Sequence, residues 1–215
     1  MSNSVLSHSI QPRPPVTAPA AFVAGVALVL WLALVIALGA DGVFVQPPGG
    51  PPLPILIGAT APVIALLVMY RVSRSFRELI LGADLRLVTA VQAWRFAGFG
   101  FLALYAYGIL PGAFAWPTGL GDMAIGISAP LVALIITRRP GFAASKTFVV
   151  WNLLGILDLV LALGNGALSS VLPGEVTTGP MAQLPLVLVP AYLVPILFML
   201  HLLALAQARR LAARP

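Results

Sequence analysis

AFVAGVALVLWLALVIALGA, residues 21–40, decides the fold class, because this run contains no charged side chain. An α-helix needs about 20 apolar residues to cross the roughly 30 Å hydrocarbon core of a bilayer. The run is also longer than the roughly 7–15 apolar residues of a cleaved signal peptide. We therefore predict a retained transmembrane helix, preceded by a polar cytoplasmic segment at 1–20.

Further apolar runs follow, separated by short segments that are rich in proline, glycine or arginine. The six predicted spans lie at about 21–40, 53–70, 87–110, 119–137, 147–163 and 183–207, and a basic cytoplasmic tail follows at 208–215. Proline and glycine clusters such as 41–52 and 111–118 cannot continue a helix and predict turns. The predicted fold is an all-α membrane protein, a bundle of six transmembrane helices.

The composition excludes several classes of protein. Hydrophobic residues make up 60% and charged residues only 8% of the chain, against about 25% charged residues in soluble domains. The chain has no cysteine, which excludes disulfides and thiolate metal sites. A bis-histidine haem needs two buried histidines, but His8 lies in the polar N-terminal segment and leaves only His201. A retinal Schiff base needs a buried lysine, and the only lysine, Lys146, lies in a loop. We therefore expect no bound metal or cofactor.

The basic residues predict the orientation of the bundle. Eleven of the twelve fall on one side of the predicted topology: Arg13, Arg71, Arg74, Arg77, Arg86, Arg138, Arg139, Lys146, Arg209, Arg210 and Arg214. The positive-inside rule then places both termini in the cytoplasm. These charges flank apolar runs and do not form a stripe that could track phosphates, which argues against nucleic acid as a partner.

The segment 71–86 is amphipathic. Its apolar side chains can share one helical face opposite Arg71, Arg74 and Arg77, which favours a helix lying on the membrane interface. The alternative is a solvated linker that carries orientation charges.

Two charged residues lie deep inside predicted spans, more than one helical turn from either end. A charge at the bilayer centre costs about 2.5–3.5 kcal/mol on insertion scales, so Arg95 and Asp158 should face the bundle interior. The helical rise places Arg95 about 13 Å and Asp158 about 16 Å from the cytoplasmic side. An Arg95–Asp158 ion pair is therefore allowed if the third and fifth spans are neighbours.

Three further polar residues fall in the same half of the membrane, namely Gln92, Asn152 and His201. Together with Arg95 and Asp158 they are the candidate substrate-binding residues, on the hypothesis that all five converge on one buried cluster. The competing interpretation is a set of polar contacts that fixes the helix arrangement. His201 taken alone is typical of a hydrogen-bonded packing residue.

Arg95 follows Trp94, a pairing also typical of an interface anchor, so its side chain could instead reach the headgroups. For Asp122 we favour a position in the first turn of the fourth helix, where the helix dipole stabilises a carboxylate. Glycines on the third and fourth helices should admit close helix neighbours: Gly98, Gly100, Gly119, Gly121 and Gly126.

The sixth predicted span contains Pro185, Pro190 and Pro195. These prolines predict either a bent helix that wraps its neighbours or a discontinuous helix of the kind found at transporter substrate sites.

An intramembrane enzyme is the least favoured function. It would need two reactive side chains at one depth, as in rhomboid-type proteases, which carry a serine on the fourth span and a histidine on the sixth. Ser128 and His201 have that placement, but their estimated depths from the outer face are about 13 Å and about 27 Å. A general base must lie within about 3.2 Å of its nucleophile. We therefore identify no catalytic residue.

Two stretches carry a resemblance to a known group of proteins: ILPGAFAWPTGLGDMAIGISAP at 109–130, within Arg95–Pro130, and WNLLGILDLVLALG at 151–164. They resemble small multi-pass membrane proteins of bacteria, a family with no assigned activity. The resemblance implies a protein of the bacterial cytoplasmic (inner) membrane, and it implies no activity, cofactor or site residue.

The leading functional expectation is a small-solute-binding or permease-like protein whose partners are the lipid bilayer and an anionic or protonatable solute. In this hypothesis Arg95 holds an anionic group or is the counter-charge of Asp158. The alternative is a structural or accessory subunit that packs against another membrane protein, or against a second copy of itself, and has no substrate.

Overall fold

A computed structural model describes residues 18–47 and 49–213, and every regular element in that part of the chain is helical. Most of the polar segment predicted at 1–20, and the last two residues of the basic tail, therefore lie outside the described residues. The α-helices are α1 (Ala18–Ala40), α2 (Leu53–Val72), α3 (Arg74–Gly82), α4 (Leu85–Val91), α5 (Phe99–Ala106), α6 (Gly112–Arg138), α7 (Lys146–Val171) and α8 (Val194–Ala212).

One short irregular helix interrupts the third span, and another begins the sixth. A 3₁₀ segment, Gln92–Gly98, joins α4 to α5, and a π-helical segment, Val189–Leu193, precedes α8. Two further 3₁₀ turns lie in connections, at Pro140–Ala144 and Gly179–Ala182.

Within the described residues, six helical stretches are long and apolar enough to cross a membrane. They are Phe22–Ala40, Leu53–Val72, Leu85–Ala106, Gly112–Arg138, Lys146–Val171 and Val189–Ala212. Many large apolar side chains on them are exposed, including Phe22, Ile57, Leu131 and Leu161. Exposed apolar area of this extent is typical of a surface that faces lipid. The six helices thus suggest a multi-pass membrane protein.

The fourth span begins earlier than we predicted. The turn expected at 111–118 is wrong beyond Pro111, because α6 begins at Gly112 and includes Pro117. A proline inside a transmembrane helix loses one backbone bond, but neighbouring helices can compensate for the loss. The composition of the segment was therefore a poor guide to its conformation.

The last two spans also differ from their predicted bounds. Helix α7 continues to Val171 through Gly166, where an added Cβ would make ordinary van der Waals contact with the ring of Phe114. The sixth span begins at Val189 and not at Gln183, so Pro185 precedes it. Pro190 lies in the π-helical segment and Pro195 in the first turn of α8, where a proline costs little.

The amphipathic segment at 71–86 contains a helix held against the last span. Helix α3 starts after Ser73, whose hydroxyl accepts a hydrogen bond from the Phe76 amide at 3.2 Å. Gln207 of α8 donates to the carbonyls of Ile80 and Ala83 at 3.2 and 3.0 Å. The linker alternative is therefore wrong for Arg74–Gly82, which is helical and packed at its carboxyl end.

The packed interior has separate apolar clusters near the two ends of the bundle. We call the end that carries the connections α2–α4 and α6–α7 the basic end, and the other the opposite end. The cluster near the basic end includes Leu85, Phe148 and Leu203. The clusters near the opposite end include Val35, Phe44 and Val187, and Phe101, Leu110 and Phe114. The buried side chains of Arg95, Asn152 and His201 lie between these clusters.

Candidate functional site

Arg95 lies in the 3₁₀ segment in the middle of the third span, and its side chain has no exposed surface. Trp94 beside it is 78% exposed, so the two neighbours point in different directions. The interface-anchor interpretation of Arg95 is therefore wrong. The tighter 3₁₀ turn changes which residues face the interior, and mid-helix 3₁₀ stretches often mark functional hinges or strained sequences.

The guanidinium of Arg95 holds two carboxylates from two different helices. Its Nε donates to Asp122 Oδ1 of α6 at 2.7 Å, and its Nη2 donates to Asp158 Oδ2 of α7. The third contact, from Nη1, goes to the carbonyl of Gly155 at 3.1 Å. The Arg95–Asp158 pair expected from the depth estimate is present, and a second carboxylate accompanies it.

The helix-dipole interpretation of Asp122 is wrong. Because α6 begins at Gly112, Asp122 lies in its third turn and not in its first. The Asp122 carboxylate pairs with Arg95, and 14% of its side chain remains exposed. The error followed directly from the mistaken start of the helix.

His201 joins the cluster from α8. Its Nε2 lies 3.2 Å from Arg95 Nη1, and its Nδ1 lies 2.9 Å from Asn152 Oδ1. Arginine offers only donors, so Nε2 must accept. Asn152 uses its amide nitrogen to donate to the Phe148 carbonyl at 2.9 Å, which leaves Oδ1 as an acceptor. This network assigns a neutral imidazole that carries its proton on Nδ1.

Missing side chains let these groups approach. Gly155 faces the His201 ring. Gly121 faces Asp158 in the same way, and Gly98 faces Asp122. A methyl group at any of these glycines would overlap the side chain that it faces. Gly126 admits the backbone of the 3₁₀ segment, with Arg95 C 2.8 Å from the position of an added Cβ.

Gly119 and Gly100 were also predicted to admit a close helix neighbour, and only Gly119 does so. Gly119 lies against the third span, where an added Cβ would be 3.0 Å from the Gly98 carbonyl oxygen. The prediction is wrong for Gly100, because no described atom would lie within 4 Å of a side chain there.

Gln92 makes a different contact from the other predicted site residues. Its Nε2 donates to the carbonyl of Leu197 at 3.0 Å, while Oε1 is buried without a hydrogen-bond partner in the described part of the chain. The structure thus brings Arg95, Asp158, His201 and Asn152 into one hydrogen-bonded network, and it uses Gln92 to join the third span to α8.

A cavity of about 450 Å³ reaches this network from the opposite end of the bundle. Asp122 and Thr118 of α6 lie in its wall, together with the rings of Phe101 and Phe114. Its outer part is formed by the connection after α1 and the chain after α7, and the π-helical segment contributes Val189 and Pro190. Mostly apolar walls with a few polar groups are typical of small-molecule sites.

Thr118 is 3% exposed and lines the cavity one helical turn from Asp122. Its hydroxyl has no hydrogen-bond partner among the described residues. An unpaired buried hydroxyl costs about 1–3 kcal/mol, which a water molecule or a ligand in the cavity would offset. Neither residue was predicted to belong to the site: Thr118 had no assigned role, and Asp122 was expected in the first turn of the fourth helix. The four-residue spacing of Phe114, Thr118 and Asp122 would have placed them on one face, had α6 been extended to Gly112.

The charges of the cluster do not balance. Arg95 supplies one positive charge, the two carboxylates supply two negative charges when ionised, and the imidazole is neutral. Arg95 uses four of its five N–H groups on these partners. The arrangement therefore has little capacity left to bind an anion. It can be neutralised by a proton or by a cationic group that reaches Asp122 through the cavity.

Ser128 and His201 both contact the indole of Trp151. Trp151 Nε1 donates to Ser128 Oγ at 2.9 Å, and the Trp151 ring lies edge-on to the imidazole with centroids 5.5 Å apart.

In the described ranges, no group of three or more histidine, aspartate or glutamate residues is placed to hold a metal ion.

The comparison with protein families covers the part of the chain that builds this site. Residues 52–209 match a family model described as a domain of unknown function, DUF8737. No curated protein and no solved structure matches the chain. The matched range starts just before α2 and includes Arg95, Asp122, Asp158 and His201, whereas α1 precedes it. Since the match extends over more than half of the sequence, the chain belongs to the DUF8737 family.

Proposed function

We propose that this protein is a small-solute-binding, permease-like protein of the bacterial inner membrane, with both termini in the cytoplasm. The basic end would then face the cytoplasm, in accord with its arginine content. The cavity would open on the outer side, and a solute entering it would reach the carboxylate of Asp122.

A single observation carries this proposal: a cavity of about 450 Å³ ends on a carboxylate that belongs to a buried ion cluster. Ionisable residues inside membrane bundles mark ion pathways, proton relays and substrate sites by default. Here the cluster joins the third, fourth, fifth and sixth spans, so a change of its charge would act on all four helices at once.

A purely structural role explains the cluster less well. One carboxylate suffices to neutralise one buried arginine, and a second buried charge costs free energy unless something compensates it. The second carboxylate also borders a cavity, where packing alone would favour an apolar side chain. The surplus charge is easier to explain if a ligand or a proton occupies the site during the working cycle.

The irregular segments indicate where the bundle could change shape. The 3₁₀ segment carries Arg95, and the π-helical segment borders the cavity. Interrupted helices at mid-membrane sites recur in secondary transporters. In this proposal these two segments adjust when the solute and the charge of the cluster change.

Uptake by purified protein in liposomes tests the proposal. The liposomes are incubated with a defined mixture of amines, carboxylates and neutral amides, and their contents are measured by mass spectrometry. We expect at least one compound to accumulate with the wild-type protein. The Asp158→Asn variant, which leaves a balanced Arg95–Asp122 pair, should insert normally and lose that uptake.

Asp41→Asn is the matched control, because Asp41 is exposed after α1 and is not a wall residue of the cavity. It should transport like the wild type. Absence of uptake of every compound, or equal uptake by Asp158→Asn, would contradict the proposal.

The accessory-subunit alternative is favoured by a different observation. Only 6% of the residues in the first two spans are buried, against 28–39% in the other four. A partner membrane protein could cover these helices as well as lipid does. Purification in mild detergent distinguishes the two: a stoichiometric second protein supports the accessory subunit, and a monodisperse single chain supports the permease.

A further inference from the structure

We propose that the cavity binds an organic monocation, a primary ammonium group on an apolar body, with Asp122 as its counter-ion and the Thr118 hydroxyl as its second polar contact. This inference rests on the proposed function and names the chemical class of its solute.

The charge of the site selects a cation. The Asp122 carboxylate gives Oδ1 to Arg95, and its side chain remains partly exposed beside the cavity. The positive charge of Arg95 is shared with Asp158, which accepts from Nη2. When both carboxylates are ionised, an entering ammonium group therefore meets a net negative site, whereas a carboxylate or phosphate would meet the Asp122 carboxylate before it met the arginine.

The second observation is independent of the charge. Thr118 is a wall residue of the cavity, and its Oγ1, which has almost no exposed surface, lacks a partner among the described residues. Thr118 and Asp122 are four residues apart on α6, so their side chains are neighbours on one helical face. An ammonium group has three donors, which can serve the Asp122 carboxylate and the threonine oxygen together.

The remaining walls select an apolar body. Phe101 and Phe114 meet edge to face with ring centroids 5.4 Å apart, and both line the cavity. Leu159 and Val194 add aliphatic surface from α7 and α8. Aromatic rings near a cationic group contribute cation–π attraction in addition to apolar burial. The size and lining suit an arylalkyl or alkyl amine better than a small hydrated cation.

Equilibrium binding to the full-length protein in detergent tests the inference with three probes that share one aromatic body. They are 2-phenylethylamine, which is an ammonium ion at neutral pH, 2-phenylethanol, which is neutral, and 3-phenylpropionate, which is an anion. We expect the amine to bind at least about tenfold more tightly than the alcohol, since a charge-assisted hydrogen bond is roughly twice as strong as a neutral one. The anion should bind more weakly than both.

Variants assign the preference to the two residues. Asp122→Asn should weaken amine binding by about tenfold or more and abolish the preference for the amine over the alcohol. Thr118→Val, which keeps the shape of the side chain, should weaken amine binding severalfold. Asp41→Asn removes an acidic group at the same end but outside the cavity wall, and it should leave all three affinities unchanged. Circular dichroism and elution volume confirm that each variant is folded.

The outcomes separate this inference from the function on which it rests. If the anion or the alcohol binds as well as the amine, the cavity is a solute site but the choice of a monocation is wrong. If Asp122→Asn keeps full amine affinity, Asp122 is not the counter-ion and the inference fails. If none of the probes binds, the inference fails, while the proposed function is judged separately by uptake from the mixed solutes.

Discussion

Arg95 Nε lies 2.7 Å from Asp122 Oδ1, and this bond joins the third span to the fourth inside the bundle. The two side chains come together because Gly98 and Gly126 allow the 3₁₀ segment to lie directly against α6. The same guanidinium binds Asp158, so one arginine holds a surplus carboxylate beside a cavity. This relationship links the packing of the helices to the chemistry that we propose for the site.

The charges predict an asymmetry between variants of the cluster. Arg95→Met leaves two carboxylates without a cation and should lower the free energy of unfolding by about 3–5 kcal/mol. Asp122→Asn leaves Arg95 balanced by Asp158, so it should change stability by less than about 1 kcal/mol or increase it. Unfolding of both variants in mixed micelles, followed by circular dichroism, measures the difference. Equal destabilisation by the two substitutions would contradict the surplus of negative charge.

Gly155 is predicted to be intolerant of any side chain. Gly155→Ala places a methyl group in the His201 ring and should destabilise the protein by about 1–3 kcal/mol, because the ring is fixed by Asn152 and Arg95. Gly164→Ala on the same helix is the control, since no described atom lies within 4 Å of that position. The control should be neutral or stabilising by up to about 1 kcal/mol. Thermal unfolding of the two variants checks the contrast.

His201 and Asn152 are predicted to be energetically coupled. Their hydrogen bond is buried, and each residue has a second partner that fixes its orientation. A double-mutant cycle with His201→Phe and Asn152→Leu should give a coupling free energy of about 0.5–3 kcal/mol in the unfolding equilibrium. His201→Phe retains a ring beside Trp151, so the cycle removes the polar contact with the least loss of packing. Additive effects would show that the network contributes nothing as a unit.

Asp84 provides a prediction outside the spans. Its carboxylate accepts from the Arg86 amide at 2.9 Å at the start of α4, and the hydrogen bond from the Arg86 side chain lowers the pKa of Asp84 below its ordinary value. A lowered pKa in the folded state stabilises the protein above the ordinary pKa, and this stabilisation is lost as the pH falls through the lowered value. Asp84→Ala should therefore cost about 0.5–2 kcal/mol at pH 7.

The cost of Asp84→Ala should shrink when unfolding is measured at acidic pH. Asp84→Asn keeps a capping oxygen and should retain most of the stability at pH 7. A cost of Asp84→Ala that is constant from pH 7 down to strongly acidic pH would show that the charge of Asp84 plays no part.

The apolar runs were a sufficient guide to the helical architecture, because only a helix satisfies its own backbone hydrogen bonds in lipid. The cost of buried charge likewise indicated that Arg95 and Asp158 need each other, and the depth estimate placed them at the same level. Both inferences depend on the low polarity of the lipid and not on how the side chains pack. A single sequence was therefore enough to make them.

The errors arose where neighbouring helices override local preference. Pro117 lies within the predicted turn at 111–118, but the packed bundle tolerates it inside α6, so the predicted first-turn position of Asp122 is wrong. The cavity could not be predicted either. Its walls combine the chain after α1, helix α7 and the π-helical segment, and no sequence spacing relates these parts. The unpaired hydroxyl of Thr118 could not be predicted for the same reason, because its lack of a partner among the described residues follows from how the helices pack.

Chemical modification of a cysteine at residue 118 tests the central claim most directly, because the natural chain has no cysteine. Thr118→Cys is treated with 2-aminoethyl methanethiosulfonate, a cation, or with 2-sulfonatoethyl methanethiosulfonate, an anion. Tyr107→Cys, at an 82% exposed position at the same end of the bundle, provides the reference rates. The account predicts that, relative to this reference, the cation reacts at residue 118 at least about tenfold faster than the anion, which corresponds to about 1.4 kcal/mol. It also predicts that Asp122→Asn removes the difference. Equal relative rates for the two reagents, or no reaction at residue 118, would contradict a negatively charged site that is open through the cavity.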